Sequence, residues 1–115
     1  MGLFRRRRED DAARLDERSL RQLAKQGADL TKPRRVVHRL AFPHRDAATA
    51  AAETIRADGW RVHLDASAFG SSWIVRAEAE RVVSRASCAR DREWFGSVAR
   101  AGDGDYDGWE ASATP

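Results

Sequence analysis

A nine-residue stretch, Arg34 to Phe42, constrains the fold more than any other part of the sequence. Its polar and apolar residues alternate as they do in a half-buried strand, where successive side chains point to opposite faces. One face carries Val36, His38, Leu40 and Phe42. The other carries Val37, Arg39 and Ala41. The pattern predicts a strand over the whole stretch with its first set of side chains in the core.

The signals after this strand alternate between helix and strand. They predict a helix over residues 44–58, two strands of a hairpin over 60–65 and 72–77, a helix over 85–101 and a last strand over 106–111. Residues 78–83 fit a strand extension, a loop or a helix start. The order is βαββαβ, which predicts an α+β fold: a ferredoxin-like sandwich of a four-stranded antiparallel sheet with two helices on one face.

An additional helix is predicted before the first strand. Asp10 or Asp11 is suited to cap its start, and Gly27 to end it after about Gln26. Residues 1–9 are interpreted as a disordered basic tail, with the solvated start of a helix as the alternative. The predicted organisation is therefore an appendage of tail, helix and linker over residues 1–33, one domain over 34–112 and a loose end over 113–115.

The bulk composition fits a folded domain with a charged surface. The chain has 115 residues, of which 42% are hydrophobic and 34% charged, and it has no apolar run of membrane-spanning length. The first four residues lack the apolar region of a secretory signal. Cys88 is the single cysteine, so an intrachain disulfide is excluded. These features predict a cytoplasmic protein.

The net charge of +3 is unevenly distributed. Residues 1–35 carry 11 basic and 6 acidic side chains, whereas residues 36–115 carry 10 and 12. The run Arg5 to Arg8 is therefore a candidate contact for RNA phosphates or an anionic membrane surface. A hypothesis of nucleic-acid or anionic-surface binding adds Arg34, Arg35 and Arg39 to this run.

The sequence offers no catalytic or metal-binding pattern. The three histidines lack ligand spacing, and no base accompanies Cys88. Residues 103–108 match the first six positions of a calcium loop, but Thr114 occupies the twelfth position, where a bidentate acid is needed. His38 is interpreted as a packed core histidine. We expect a non-enzymatic protein without cofactor or metal.

RNA binding through the sheet is also considered, because similar sandwiches bind single strands on exposed aromatic side chains. The third strand lacks the two alternating aromatics of such a site. Trp60 and Trp73 are instead predicted to lie in the core.

The last strand carries the string Tyr106-Asp107-Gly108-Trp109. This string resembles the ending of the regulator of ribonuclease E activity B family, and the resemblance extends over about residues 10–111. It includes features further upstream in the chain, which are Gly27, Asp29, Val36, His38, Leu40, Gly59 and Trp60.

The resemblance implies a ferredoxin-like, non-catalytic cytoplasmic protein that binds ribonuclease E and restrains RNA cleavage. The chain departs from the familiar members in being basic and in lacking their acidic C-terminal tail. Residues Tyr106 to Trp109 are the candidate interface, and they also have a structural interpretation. Gly108 permits a bulge, Trp109 buries apolar area, and Asp107 is expected to bond amides in the preceding turn.

Three hypotheses of function follow. The first is a protein-binding regulator that resembles ribonuclease E inhibitors and modulates RNA processing or decay. The second is the nucleic-acid or anionic-surface module that uses Arg5 to Arg8. The third is a small-ligand sensor with the same architecture.

Overall fold

The computed structural model describes residues 2–68 and 70–114, and for residues 2–9 the description excludes the side chains. The elements in chain order are α1 (Gly2–Lys25), β1 (Arg34–Phe42), α2 (Arg45–Ala57), β2 (Arg61–Ala66), β3 (Trp73–Arg81), α3 (Arg85–Ala101) and β4 (Asp105–Ala111). The strands form one four-stranded antiparallel sheet in the order β2-β3-β1-β4. The predicted α+β class and βαββαβ order are confirmed.

The first strand is central in this sheet. β1 pairs with β3 over all nine of its residues and with β4 on its other side. Its inward residues Val36, His38, Leu40 and Phe42 are all buried. Val37 on the opposite face is also buried, with 2% exposure.

The core lies between the inward face of the sheet and the helices α2 and α3. The small buried face of α2 is Ala48, Ala51, Ala52 and Ile55. From α3, Phe95 and Ala99 enter the same core. Ser84 caps α3, because Ser84 and Ser87 exchange side-chain and backbone hydrogen bonds of 3.1 and 2.8 Å.

The structure corrects two boundaries. Helix α1 begins at Gly2, so the predicted disordered tail is wrong for residues 2–9 and the alternative of a helix start is right there, while residue 1 lies outside the described residues. Arginine has a high helix propensity, and acidic residues stand four positions after Arg5, Arg6 and Arg7. Residues 78–81 extend β3, where they pair with residues 34–37 of β1.

Gly96 lies in the middle of α3. A glycine in the middle of a helix suggests a close packing contact. A Cβ placed on Gly96 would meet only the end of the Arg100 side chain, at 3.2 Å. The structure gives no packing reason for this glycine.

Candidate functional site

The segment Tyr106 to Trp109 lies on the edge strand β4 and contains a bulge. His38 of β1 pairs with Trp109, and Leu40 pairs with Tyr106. Two residues of β4, Asp107 and Gly108, therefore stand opposite Arg39 alone. Gly108 has a φ of +97°, a conformation that glycine adopts without strain.

The bulge explains why both aromatic residues of the segment face inward. In a regular strand, residues three positions apart point to opposite faces. The extra residue brings Tyr106 and Trp109 onto the same face, towards the helices. Tyr106 packs against the main core, and Trp109 packs against a second cluster formed by Val36, Val83 and Cys88.

The Tyr106 hydroxyl bonds to His38, with 2.7 Å between Oη and Nδ1. Burial raises the pKa of Tyr106, so the phenol stays protonated and its hydroxyl donates the hydrogen bond to Nδ1 of His38. His38 is 2% exposed and stacks on Phe95 with ring centroids 4.3 Å apart. Its burial, together with the charge of Arg81, lowers the pKa of His38 to about 3. The imidazole is therefore neutral at pH 7, with its hydrogen on Nε2.

Nε2 of His38 faces Asp91 on α3, and the two atoms His38 Nε2 and Asp91 Oδ2 are 3.8 Å apart. This distance is within the range of an ion pair but too long for a direct hydrogen bond. We assign the neutral histidine, because burial outweighs a carboxylate at this separation. Burial also raises the pKa of Asp91.

Cys88 and His38 share a small cavity of about 10 Å³, which Asp91 and Trp109 also line. Its volume is that of about one water molecule. No pattern in the sequence places Cys88 beside His38, because the two residues belong to different elements. Burial raises the pKa of Cys88 to about 12. At pH 7 the thiol is protonated and therefore a poor nucleophile.

Trp109 also connects three elements through Asp16 of α1. Its Nε1 donates a hydrogen bond of 2.8 Å to one carboxylate oxygen of Asp16. The other oxygen pairs with Arg92 of α3. Asp16 is only 8% exposed. We call these three residues, Asp16, Arg92 and Trp109, the α1 clasp.

Asp16 is not among the predicted site residues, although the sequence contains a signal for it. Ala12, Asp16 and Leu20 lie four residues apart, so Asp16 interrupts the apolar stripe of the helix. A charged residue at such a position needs a partner. Its partners come from α3 and β4, which only the folded structure brings together.

The predicted hydrogen bond of Asp107 to the preceding turn is wrong. Asp107 is exposed, and no hydrogen bond of its carboxylate is found in the described part of the chain. The turn is closed by Gly104, whose amide donates to Ala99 O at 2.8 Å. A Cβ on Gly104 would lie 2.5 Å from Ala41 O, so only glycine fits there.

Among residues 2–68 and 70–114, no cluster of three or more potential metal ligands is found.

Arg34 does not belong to an anion-binding surface. It is 1% exposed, and its guanidinium donates to the carbonyl oxygens of Asp29, Ser112 and Ala113 at 2.5, 3.0 and 2.9 Å. This side chain ties the linker before β1 to the segment after β4. It is therefore structural, which corrects its place in the nucleic-acid hypothesis.

The outward face of the sheet carries ion pairs between neighbouring strands. Arg35 bonds Glu78 at 2.8 Å, Arg39 bonds Glu110 at 2.8 Å, and Arg61 bonds Glu80 at 2.9 Å. Arg35 is the main cause of the lowered pKa of Glu78, which is about 2. Arg35 and Arg39 are thus already matched by carboxylates, which weakens their attraction for a polyanion.

The predicted placement of Trp60 and Trp73 agrees with the structure. Trp60 is 3% exposed and Trp73 packs against the core.

The side chains of Arg5 to Arg8 lie outside the described residues, so their role as a polyanion contact remains a prediction. Within the described ranges, no helix has the length and apolar character needed to span a membrane.

A comparison with family models finds one match, to the family described as regulator of ribonuclease activity B, over residues 13–111. The matched range starts on α1 shortly before Asp16 and ends at the last residue of β4. It contains the α1 clasp and excludes Arg5 to Arg8. A comparison with curated proteins finds no match.

Proposed function

Because this chain belongs to the regulator of ribonuclease activity B family, we propose that it is a non-catalytic regulator that binds a ribonuclease and restrains RNA cleavage. The observation that carries the proposal is the extent of the family match, which covers residues 13–111. That range contains all four strands and the clasped part of α1. By resemblance, the partner is an enzyme of the ribonuclease E type.

The chemistry of the buried polar groups supports binding rather than catalysis. His38 is neutral and packed between aromatic rings, and Cys88 is a protonated thiol. Their shared cavity of about 10 Å³ has no room for a substrate. The family's aromatic pair, Tyr106 and Trp109, is engaged in holding the fold together.

The fold assignment is part of the proposal. The strand order β2-β3-β1-β4 is the one expected for a ferredoxin-like sandwich, and α2 and α3 share a core with one face of the sheet. Such a fold leaves the second sheet face and the edge of β4 available to a protein partner. We propose that the protein acts through such a surface in the cytoplasm.

The test is a titration of the full-length chain into an RNA cleavage assay with a purified ribonuclease of the E type. We expect saturable inhibition, together with a complex of the two proteins that forms without RNA. An unrelated ribonuclease is the control and should be unaffected. Inhibition that disappears when more RNA is supplied, with no protein complex, would show that the chain acts by coating RNA.

A further inference from the structure

The edge of β4 and the adjoining face of α1 form a groove of about 430 Å³. We call it the α1–β4 groove. Its lining includes Arg18, Gln22, Leu23, Trp109, Glu110 and Ala111. We propose that this groove binds an extended acidic segment of the ribonuclease as a fifth strand of the sheet. This inference rests on the proposed function and names the surface that carries it out.

The backbone of β4 is arranged to accept another strand. Ser112 donates its amide to Arg35 O at 3.0 Å, so Ser112 and Arg35 form a hydrogen-bonded pair of the antiparallel ladder. Such pairs alternate along the ladder. The N–H and C=O groups of Trp109 and Ala111 therefore point away from β1, towards the open edge. They offer two donors and two acceptors to an incoming strand.

The side chains beneath this edge form a floor for the incoming strand. Trp109 and Ala111 face inward, and Leu23 of α1 is 6% exposed. On α1, Gln22 and Gln26 lie one turn apart along the groove, with amide groups that can bond a peptide backbone. Leu15, which is 59% exposed, lies on the same side of the helix as Arg18. It extends the apolar contact beyond the groove.

The charges at the groove favour an acidic segment. Arg18 is exposed and has no ion-pair partner among the side chains described from Asp10 onwards. Lys25, two turns further along α1, also has no partner within those residues. Glu110 also lines the groove, but its carboxylate is already bonded to Arg39 at 2.8 Å. The uncompensated charge beside the edge is therefore positive, which complements carboxylates on the partner.

The test compares Ala111→Pro with Ala111→Val in full-length protein. Proline removes the outward N–H of residue 111 and leaves the amides that face β1 intact. Valine keeps the N–H and adds a side chain of similar size. With the purified ribonuclease as the probe, we expect Ala111→Pro to weaken binding about tenfold, and Ala111→Val to bind like the wild type.

A second pair of variants tests the charge. Arg18→Glu should weaken the complex at least as much as Ala111→Pro. Arg14→Glu makes the same charge change on α1 but does not line the groove, so it should have a small effect. Equal losses for Arg14→Glu and Arg18→Glu would assign the charge effect to the whole helix and overturn the groove assignment.

Amide exchange on the wild-type protein keeps the test independent of variant folding. We expect the amides of Trp109 and Ala111 to exchange freely alone and to become protected in the complex. Protection that appears without the ribonuclease, and grows with protein concentration, would show that a second copy occupies the edge and would overturn the inference. A complex that forms without protection, and equally well with Ala111→Pro, would overturn it while the proposed function stands. If the wild type forms no complex with the ribonuclease, the proposed function and the groove inference are both wrong.

Discussion

Gly108 is the residue on which the orientation of the family segment depends. Its φ of +97° is unfavourable for other residues, while a Cβ at this position would meet no atom within 4 Å. We therefore expect Gly108→Ala to reduce the free energy of unfolding by about 1–2 kcal/mol through backbone strain alone. Chemical denaturation measures this loss.

Gly96→Ala is the matched control, because it makes the same change inside a regular helix. Its expected effect has the opposite sign, a gain of up to about 1 kcal/mol, since alanine is the better helix former and only the flexible end of Arg100 is near. A neutral Gly108→Ala would mean that β4 can straighten without cost, and the bulge would then not be what turns Tyr106 and Trp109 inward.

His38 makes the stability depend on pH. Its pKa is about 3 in the folded protein and 6.5 in the reference state, chiefly because the ring is buried. Between these values the unfolded chain binds more protons, so stability falls as the pH is lowered through this window. The largest slope from one such group is about 1.4 kcal/mol per pH unit. The lowered pKa of Glu78 adds a loss at still lower pH, whereas the raised pKa of Asp91 opposes it.

Urea unfolding of the wild type and of His38→Gln at several pH values between about 7 and 4 separates these contributions. Glutamine can still accept the hydrogen bond of Tyr106 but does not titrate. We expect the variant to be less stable at pH 7 and to have a flatter pH dependence. Parallel curves for the two proteins would show that His38 is not the group responsible.

At the scale of elements, the α1 clasp joins α1 to both α3 and β4. Removing Trp109 breaks its bond to Asp16 and uncovers the Val36–Cys88 cluster. We expect Trp109→Ala to cost about 3 kcal/mol, towards the lower end for a large core residue because Trp109 is only half-buried. Limited proteolysis should then cut within α1 before the sheet domain unfolds.

Glu17→Ala is the control for the clasp. It lies next to Asp16 but its partner, Arg85, is at the surface, with 2.5 Å between Arg85 Nη2 and Glu17 Oε1. An exposed pair of this kind contributes about 0–1 kcal/mol. Equal losses in Glu17→Ala and Trp109→Ala, with α1 still protected from proteolysis, would contradict the clasp.

The elements differ in how far the sequence predicts them, for a physical reason. β1 and α3 begin and end where their local patterns indicate. The alternation of β1 and the serine cap of α3 each depend only on residues that are close together in the sequence. The sequence indicates that Gly108 permits a bulge, but the effect of the bulge on Trp109 depends on the register between β4 and β1. The partners of Asp16 come from elements 76 and 93 residues further along the chain. No local pattern contains such information.

At the scale of the whole molecule, the distribution of charge separates the arginine run Arg5 to Arg8, which we call the arm, from the sheet. On the outward face of the sheet, Arg35, Arg39 and Arg61 are paired with glutamates, whereas residues 1–35 have a net charge of +5 from 11 basic and 6 acidic side chains. The family match begins at residue 13, after the arginine run. The run is therefore separable in sequence from the region that defines the family.

We expect Arg5 to Arg8 to accelerate encounter with a polyanion, such as a ribonuclease carrying RNA, without determining the lifetime of the complex. Charges outside a packed interface act mainly on the association rate, and salt screens them over about 8–10 Å at physiological strength. Replacing all four by glutamine, which keeps helix propensity in α1, should slow association at low salt and have little effect at high salt.

The control removes four exposed arginines spread over the helices, Arg14, Arg56, Arg90 and Arg100, and should slow association less. Surface-binding kinetics at two salt concentrations measure both rates. Faster dissociation that persists at high salt would place Arg5 to Arg8 inside the interface and would contradict their role as a steering arm.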